Sequence, residues 1–172
     1  MGLEDRLTAL ERRIAALEGP QGDGSVGRAV REGDFWALEG LKGQLAEAGA
    51  ADGGVLFTGA VRLPTGEQYE WQYGALTDQL MAVDADWSDA AESFAALGHP
   101  VRLRLLREIL GGRRTAAELA ELEGIGTSGQ IYHHLRQLTA AGWVHTGGRR
   151  GRYEVPGNRA VPLLVALMAA RP

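Results

Sequence analysis

An α+β fold, mainly helical with two small antiparallel hairpins, is predicted by three observations. Apolar residues recur at helical spacing over most of the chain. The spacing switches to period two only around residues 55–73 and 143–155. Gly- and Pro-bearing breaks such as "GPQGDGSVG", "GAADGG" and "GHP" separate the segments.

The elements follow in order. Leu3, Leu7, Leu10, Ile14 and Leu17 are spaced 4, 3, 4 and 3 residues apart, an a/d seam flanked by Glu and Arg. At two and a half heptads it is marginal alone, so it is expected to pair in a dimer or to dock on its own domain. Residues 19–28 read as a flexible linker. A helix is expected at 29–48, with Phe35, Leu38, Leu41 and Leu45 at helical spacing. Val55, Phe57, Val61 and Leu63 then share one face at period two. Pro64-Thr65-Gly66 supplies a turn, and Tyr69, Trp71 and Tyr73 share a face on the return. A lone hairpin is unstable and needs a packing partner. Its aromatic stripe is read as core or interface, with a ligand pocket built from Tyr69, Trp71, Tyr73, Phe35 and Trp36 as the alternative.

From Trp87 onward the pattern is helical. Residues 88–97 form one helix and 101–110 another, with Leu103, Leu106 and Leu110 as its buried stripe. Thr115-Ala-Ala-Glu118 and Thr127-Ser-Gly-Gln130 are capping boxes twelve residues apart. They open a short helix at 116–122 and a longer one reaching about 141, with Gly142 as its C-cap. Two short helices joined by a Gly-bearing turn make a helix-turn-helix.

On a wheel of about 100° per residue, Ile131, Leu135 and Leu138 fall within about 60° of one another and form the buried stripe. The opposite side carries Gly129, His133 and Arg136, flanked by Gln130, Tyr132 and Gln137, with no carboxylate among them. Donors and amides suit the base edges and phosphates of a major groove. Thr127 and Ser128, at the start of that helix, join the candidate DNA contacts. "WVHTGGRRGRYEVP" then reads as strand, turn and strand, a wing whose tip at 147–152 carries Arg149, Arg150 and Arg152 for the backbone or minor groove.

Charge supports this division. The formal net charge is −4, but residues 1–99 hold 7 basic and 17 acidic side chains, whereas residues 100–172 hold 11 and 5. A basic patch binds phosphates through its local field. The chain is 45% hydrophobic and 23% charged, a globular composition. It shows no apolar run of ~18 residues and no signal peptide, so no membrane association is expected. It has no cysteine, which excludes disulfides and thiolate metal sites. A cytoplasmic location is the simplest expectation. Lys42 is the only lysine, and the Arg, Ala and Gly content is that of a high-GC bacterial genome. No nucleophile–base pair or phosphate loop is visible, and "GDGSVG" lacks the strand and the ribose-binding acid of a dinucleotide site. Neither an enzyme nor a cofactor is expected.

The stretches Leu97-Gly98-His99-Pro100-Val101-Arg102-Leu103 and His133-His134-Leu135, with Leu138, Ala141-Gly142 and Val144, resemble the winged-helix repressors of the ArsR family. The resemblance covers roughly residues 88–170. It implies a homodimer on a palindromic double-stranded DNA operator, with recognition helices at about 127–141 in successive major grooves. It also implies dimerisation through helices 88–97 and 159–170, the latter carrying Leu163, Leu164 and Leu167. Many members sense metals through cysteines or through Asp and His on the last helix. This chain has none of these there, and no metal site is expected. Repression rests on the resemblance alone.

The expected organisation is a coiled-coil-like helix at 1–18, a linker at 19–28 and a helix-plus-hairpin extension at 29–82. A winged helix-turn-helix domain with a C-terminal dimerisation helix follows at 83–172. The leading expectation is a sequence-specific transcriptional regulator. The alternatives are a winged-helix protein-interaction module, or a regulator gated by an organic ligand in the N-terminal half; a small-molecule or protein effector is a further candidate partner.

Overall fold

The computed structural model describes residues 35–147 and 151–171. The expected heptad helix, the linker and the wing-tip residues Arg149 and Arg150 lie outside them. The chain divides into two compact units, residues 1–40 and 41–172. Helix α1 (Trp36–Glu47) begins in the first unit and buries no residue fully. The expectation of a helix at 29–48 is met over its described part.

Strands β1 (Gly54–Arg62) and β2 (Gln68–Leu76) pair antiparallel, from Gly54 opposite Leu76 to Arg62 opposite Gln68. The turn closes with the Leu63 amide donating to the Glu67 carbonyl at 2.8 Å, and Gly66 takes a φ of 88°. Phe57, Gly59, Val61 and Leu63 share the inner face, opposite Tyr73, Trp71 and Tyr69. The partner this hairpin needs is the last helix, α7 (Gly157–Ala169). Gly59 makes the approach possible: a Cβ there would stand 2.6 Å from Val161 Cγ1.

Helix α2 (Thr77–Leu80) is a single turn, tied by the Trp87 indole donating to the Leu80 carbonyl at 2.8 Å. Helix α3 (Ser88–Leu97) occupies the expected residues. Helix α4 (Pro100–Leu110) starts at proline, whose fixed φ suits a first helical position. His99 caps it, accepting from the Val101 amide at 3.2 Å.

The expected stripe on α4 needs correction. Leu106 is fully buried as expected, but Leu103 and Leu110 are only partly so, and Leu105 and Ile109 join Leu106 in the interior. The reason is that α4 is covered from several directions, by α3, by α6 (Ser128–Ala140) and by strand β4 (Arg152–Glu154). A single stripe at period 3.6 describes a helix packed on one side only.

Helix α5 (Ala116–Ala120) is shorter than expected. It stops early because the turn into α6 is built on Gly124 and Gly126, at φ 73° and 101°. Strand β3 (His145–Gly147) begins two residues later than expected. The amides of Trp143 and Val144 both donate to the Leu138 carbonyl, at 2.9 and 3.3 Å, and finish α6 after Gly142 at φ 71°. These two residues therefore belong to the helix cap. β3 pairs with β4 from His145 opposite Glu154 to Gly147 opposite Arg152.

One core joins these parts. It contains Leu105, Leu106, Ile109, Leu119, Ile125, Ile131, Leu135, Leu138, Trp143, Val144, Val155, Ala160 and Leu163. Helices with small antiparallel hairpins around this core make an α+β, winged helix-turn-helix fold. Among the described residues no helix is long and apolar enough to cross a membrane.

Candidate nucleic-acid interface

Helix α6 is fixed at its start by a complete capping box. Thr127 Oγ1 accepts from the Gln130 amide at 3.4 Å, and Gln130 Oε1 accepts from the Thr127 amide at 2.8 Å. Gly126 suits this position because its φ of 101° is one that side chains rarely adopt, and a Cβ there would also press on the Gln130 side chain. Along the helix Ile131, Leu135 and Leu138 are buried as the wheel predicts. Ser128, Gly129, Tyr132, His133 and Arg136 are all exposed.

The exposed face is narrower in function than its composition suggests. Thr127 and Gln130 are engaged with each other in the cap. Gln137 accepts from Arg102 Nη1, whose other donors go to the carbonyls of Ala95 and Ala96 at 2.7 and 2.6 Å. Sequence spacing gave no sign of this clamp, because Arg102 lies 35 residues away. Ser128, Tyr132 and Arg136 hold no side-chain hydrogen bond or ion pair to another described residue.

The arginines divide in the same way. Arg104 donates to the Glu123 carbonyl at 2.6 Å, Arg107 and Arg113 pair with Glu108, and Arg159 lies over the Trp143 ring at 4.9 Å. Arg114 is bound between Glu67 and Glu154. Several arginines after residue 100 therefore have their guanidinium groups engaged within the chain. Arg136 on α6 and Arg152 on β4 remain exposed on the helix-turn-helix and wing. Arg152 also helps hold the Glu118 carboxyl below its usual range, after the larger effects of the Thr115 and Arg114 hydrogen bonds.

Three histidines meet at the α4–α6 junction. The rings of His99 and His134 are 4.6 Å apart, and those of His133 and His134 are 5.7 Å apart, edge to face. His134 Nδ1 is buried without a hydrogen-bond partner among the described residues. Burial lowers the His134 pKa, with the charges of His99, Arg102 and His133 adding to it. His145 is elsewhere, with Nε2 at 3.8 Å from Glu154 on the wing. Among the described residues no group of three His, Asp or Glu side chains is placed to hold a metal ion.

The residues expected to form a ligand pocket differ in their surroundings. Tyr69 packs on the core, with an added Cβ at Gly157 standing 3.1 Å from its ring. Trp71 lines a shallow depression with Thr58, Gly59 and Gln72. Tyr73 is exposed beside Phe57, at 6.1 Å between rings. Phe35 and Trp36 are exposed in the first unit. An apolar groove of about 690 Å³ lies among Phe57, Phe94, Leu103, Val165 and Leu167. Of the residues assigned to dimerisation, Leu163 is enclosed in its own chain's core, Leu164 is half-buried and Leu167 lines that groove.

Comparison with known proteins fits this geometry. Residues 97–146 match a family model described as a helix-turn-helix domain. The same part of the fold carries α4, α5, α6 and the start of the wing. The chain is also 39% identical over 77 residues to a protein of Streptomyces lividans named "Probable mercury resistance operon repressor". That alignment covers 44% of this chain and spans 61% of the relative's length.

Proposed function

We propose that the protein is a DNA-binding transcriptional regulator, without catalytic activity, that represses by occupying a palindromic operator as a homodimer. The observation that carries this reading is α6: capped at both ends, seated on Ile131, Leu135 and Leu138, and presenting Ser128, Tyr132, His133 and Arg136 to solvent. In a major groove these residues supply donors to base edges, with Arg136 as the cation. Arg152, with Arg149 and Arg150 beyond the described residues, supplies the wing contacts to backbone or minor groove. The repressor name of the Streptomyces relative and the resemblance to winged-helix repressors support the sign of regulation.

The relative's name speaks of mercury. This chain has no cysteine to offer a soft metal a thiolate. An effector of apolar organic chemistry is favoured by one observation, the open groove of about 690 Å³ between hairpin and α7.

In-vitro site selection with the purified protein, followed by gel shift on the selected duplex, tests the reading. A palindromic site is expected, bound tightly and with steep salt dependence. Folded protein that selects no sequence and binds no duplex at low salt overturns it.

A further inference from the structure

Arg102 ties three helices together. Its Nε and Nη2 donate to the carbonyls of Ala96 and Ala95 at 2.6 and 2.7 Å, and its Nη1 donates to Gln137 Oε1 on α6. Ala95 and Ala96 lie in the last turn of α3, where carbonyls run out of intrahelical partners and the helix dipole favours a cation. A second contact runs beside the first. His99, which caps α4, stacks on His134 of α6 with ring centroids 4.6 Å apart. His99 and Arg102 are three residues apart at the start of α4, and His134 and Gln137 are three apart on α6. Residues at that spacing are neighbours on a helix surface, so the two pairs form matched rungs between the helices.

Helix α6 packs on α3, α4 and α5, and its buried residues are Ile131, Leu135 and Leu138. Apolar burial sets how deep the helix sits, but it is non-directional. Hydrogen bonds weaken steeply with misalignment and so resist rotation as well. The rungs alternate with residues proposed to read DNA: His133 precedes His134, and Arg136 precedes Gln137. A rotation of α6 about its own axis therefore carries both sets together. Side-chain tips lie about 5–6 Å from the axis, so a rotation of about 10° moves a tip by about 1 Å. That displacement breaks a hydrogen bond to a base edge.

We infer that Arg102 is a positioning residue for sequence recognition: through Gln137, and beside the His99–His134 stack, it fixes the rotation of α6, so that Gln137 serves recognition without touching DNA. This rests on the DNA-binding reading above.

The test is a competition titration on the selected operator and on an unrelated duplex, over a salt series, with wild type, Gln137→Glu, Gln137→Ala, Arg102→Met and Arg102→Met/Gln137→Ala. Gln137 is exposed, so its variants are expected to fold. Gln137→Glu is expected to keep operator affinity within about 3-fold, because the new carboxylate pairs with Arg102. A carboxylate set against DNA phosphates would cost more than that through like-charge repulsion, and a larger loss overturns the inference. Gln137→Ala should weaken operator binding about 3- to 10-fold, in the range of coupling through remote contacts. Its binding to the unrelated duplex and its salt slope should stay as in wild type, since no phosphate contact is lost. A merely structural defect would weaken both duplexes alike. With Arg102→Met already in place, Gln137→Ala should add less than about 2-fold, as for residues that act as one unit. Wild-type affinity in Gln137→Ala, a loss confined to one base pair, or additive effects of the two changes overturns the inference. Wild-type protein that binds no duplex overturns the regulator reading and the recognition role of Arg102 with it. Non-additive urea midpoints in the same variants would then still show the Arg102–Gln137 clamp.

Discussion

The imidazoles of His99 and His134 stack with their centroids 4.6 Å apart and their planes at 39°. The residue that caps α4 is thereby packed on the helix proposed to read DNA. Burial, then His99, Arg102 and His133, lower the His134 pKa below its ordinary 6.5. A base with a depressed folded pKa is bound by protons more readily in the unfolded chain. Its contribution to stability is therefore full above pH 6.5 and is lost as pH falls through the folded value. Tm should fall on acidification from about pH 7 to about pH 5, and His134→Gln should flatten that slope. An unchanged slope in the variant would show that another group carries the dependence.

His133 and His134 are adjacent but differ in surroundings. His133 is exposed beside Arg136, whereas His134 is half-buried against His99. His133→Ala is expected to weaken operator binding with a stability change within about 0.5 kcal/mol. His134→Ala should mainly destabilise, by about 1–2 kcal/mol for a partly buried ring. Denaturant unfolding beside a DNA titration checks the split, and equal stability losses would refute it.

The capping box of α6 sets where that helix begins. Thr127→Ala removes the acceptor for the Gln130 amide and is expected to cost about 1 kcal/mol. The loss should appear as a lower urea midpoint with an unchanged m-value. A rise in midpoint would mean that the cap is not formed in solution.

Gly59 faces α7, and a methyl there meets Val161. Gly59→Ala should destabilise by about 1–3 kcal/mol through overpacking. Gly66, at the turn, has open space around its Cβ position but a φ of 88°, so its substitution acts through backbone strain instead. Thermal unfolding of Gly59→Ala with Val161→Ala distinguishes the two causes, since the second change should relieve the first.

Arg152 and Arg136 are predicted to differ in kind. Arg152→Ala should weaken binding to all duplexes alike and lower the salt slope by about 1, as expected for a phosphate contact. Arg136→Ala should relax sequence preference at one base pair, costing about 1–3 kcal/mol there. Competition titrations with point-changed operators read both.

Several features are legible in residue spacing alone. The boxes at Thr115 and Thr127 mark helix starts because capping joins residues three apart. The stripe of Ile131, Leu135 and Leu138 follows from period alone. The turn at Pro64-Thr65-Gly66 is set by local backbone chemistry. The extended reading of Trp143 and Val144 failed for a related reason. Their apolar, strand-like character reflects burial, and their amides were already taken by the Leu138 carbonyl.

The sequence by itself determined the α+β class, the order of the helices around the helix-turn-helix, and the side of α6 that faces away from the core. These depend on interactions within a few residues, which spacing encodes. Only the tertiary structure decided which polar groups remain available to a partner. Gln137 is held by Arg102 and Arg114 by Glu67, pairs 35 and 47 residues apart. No local pattern announces such pairs, because they form only after packing has brought their helices and turns together. Gly59 opposite Val161 belongs with them: a missing side chain becomes meaningful only when another helix occupies its space.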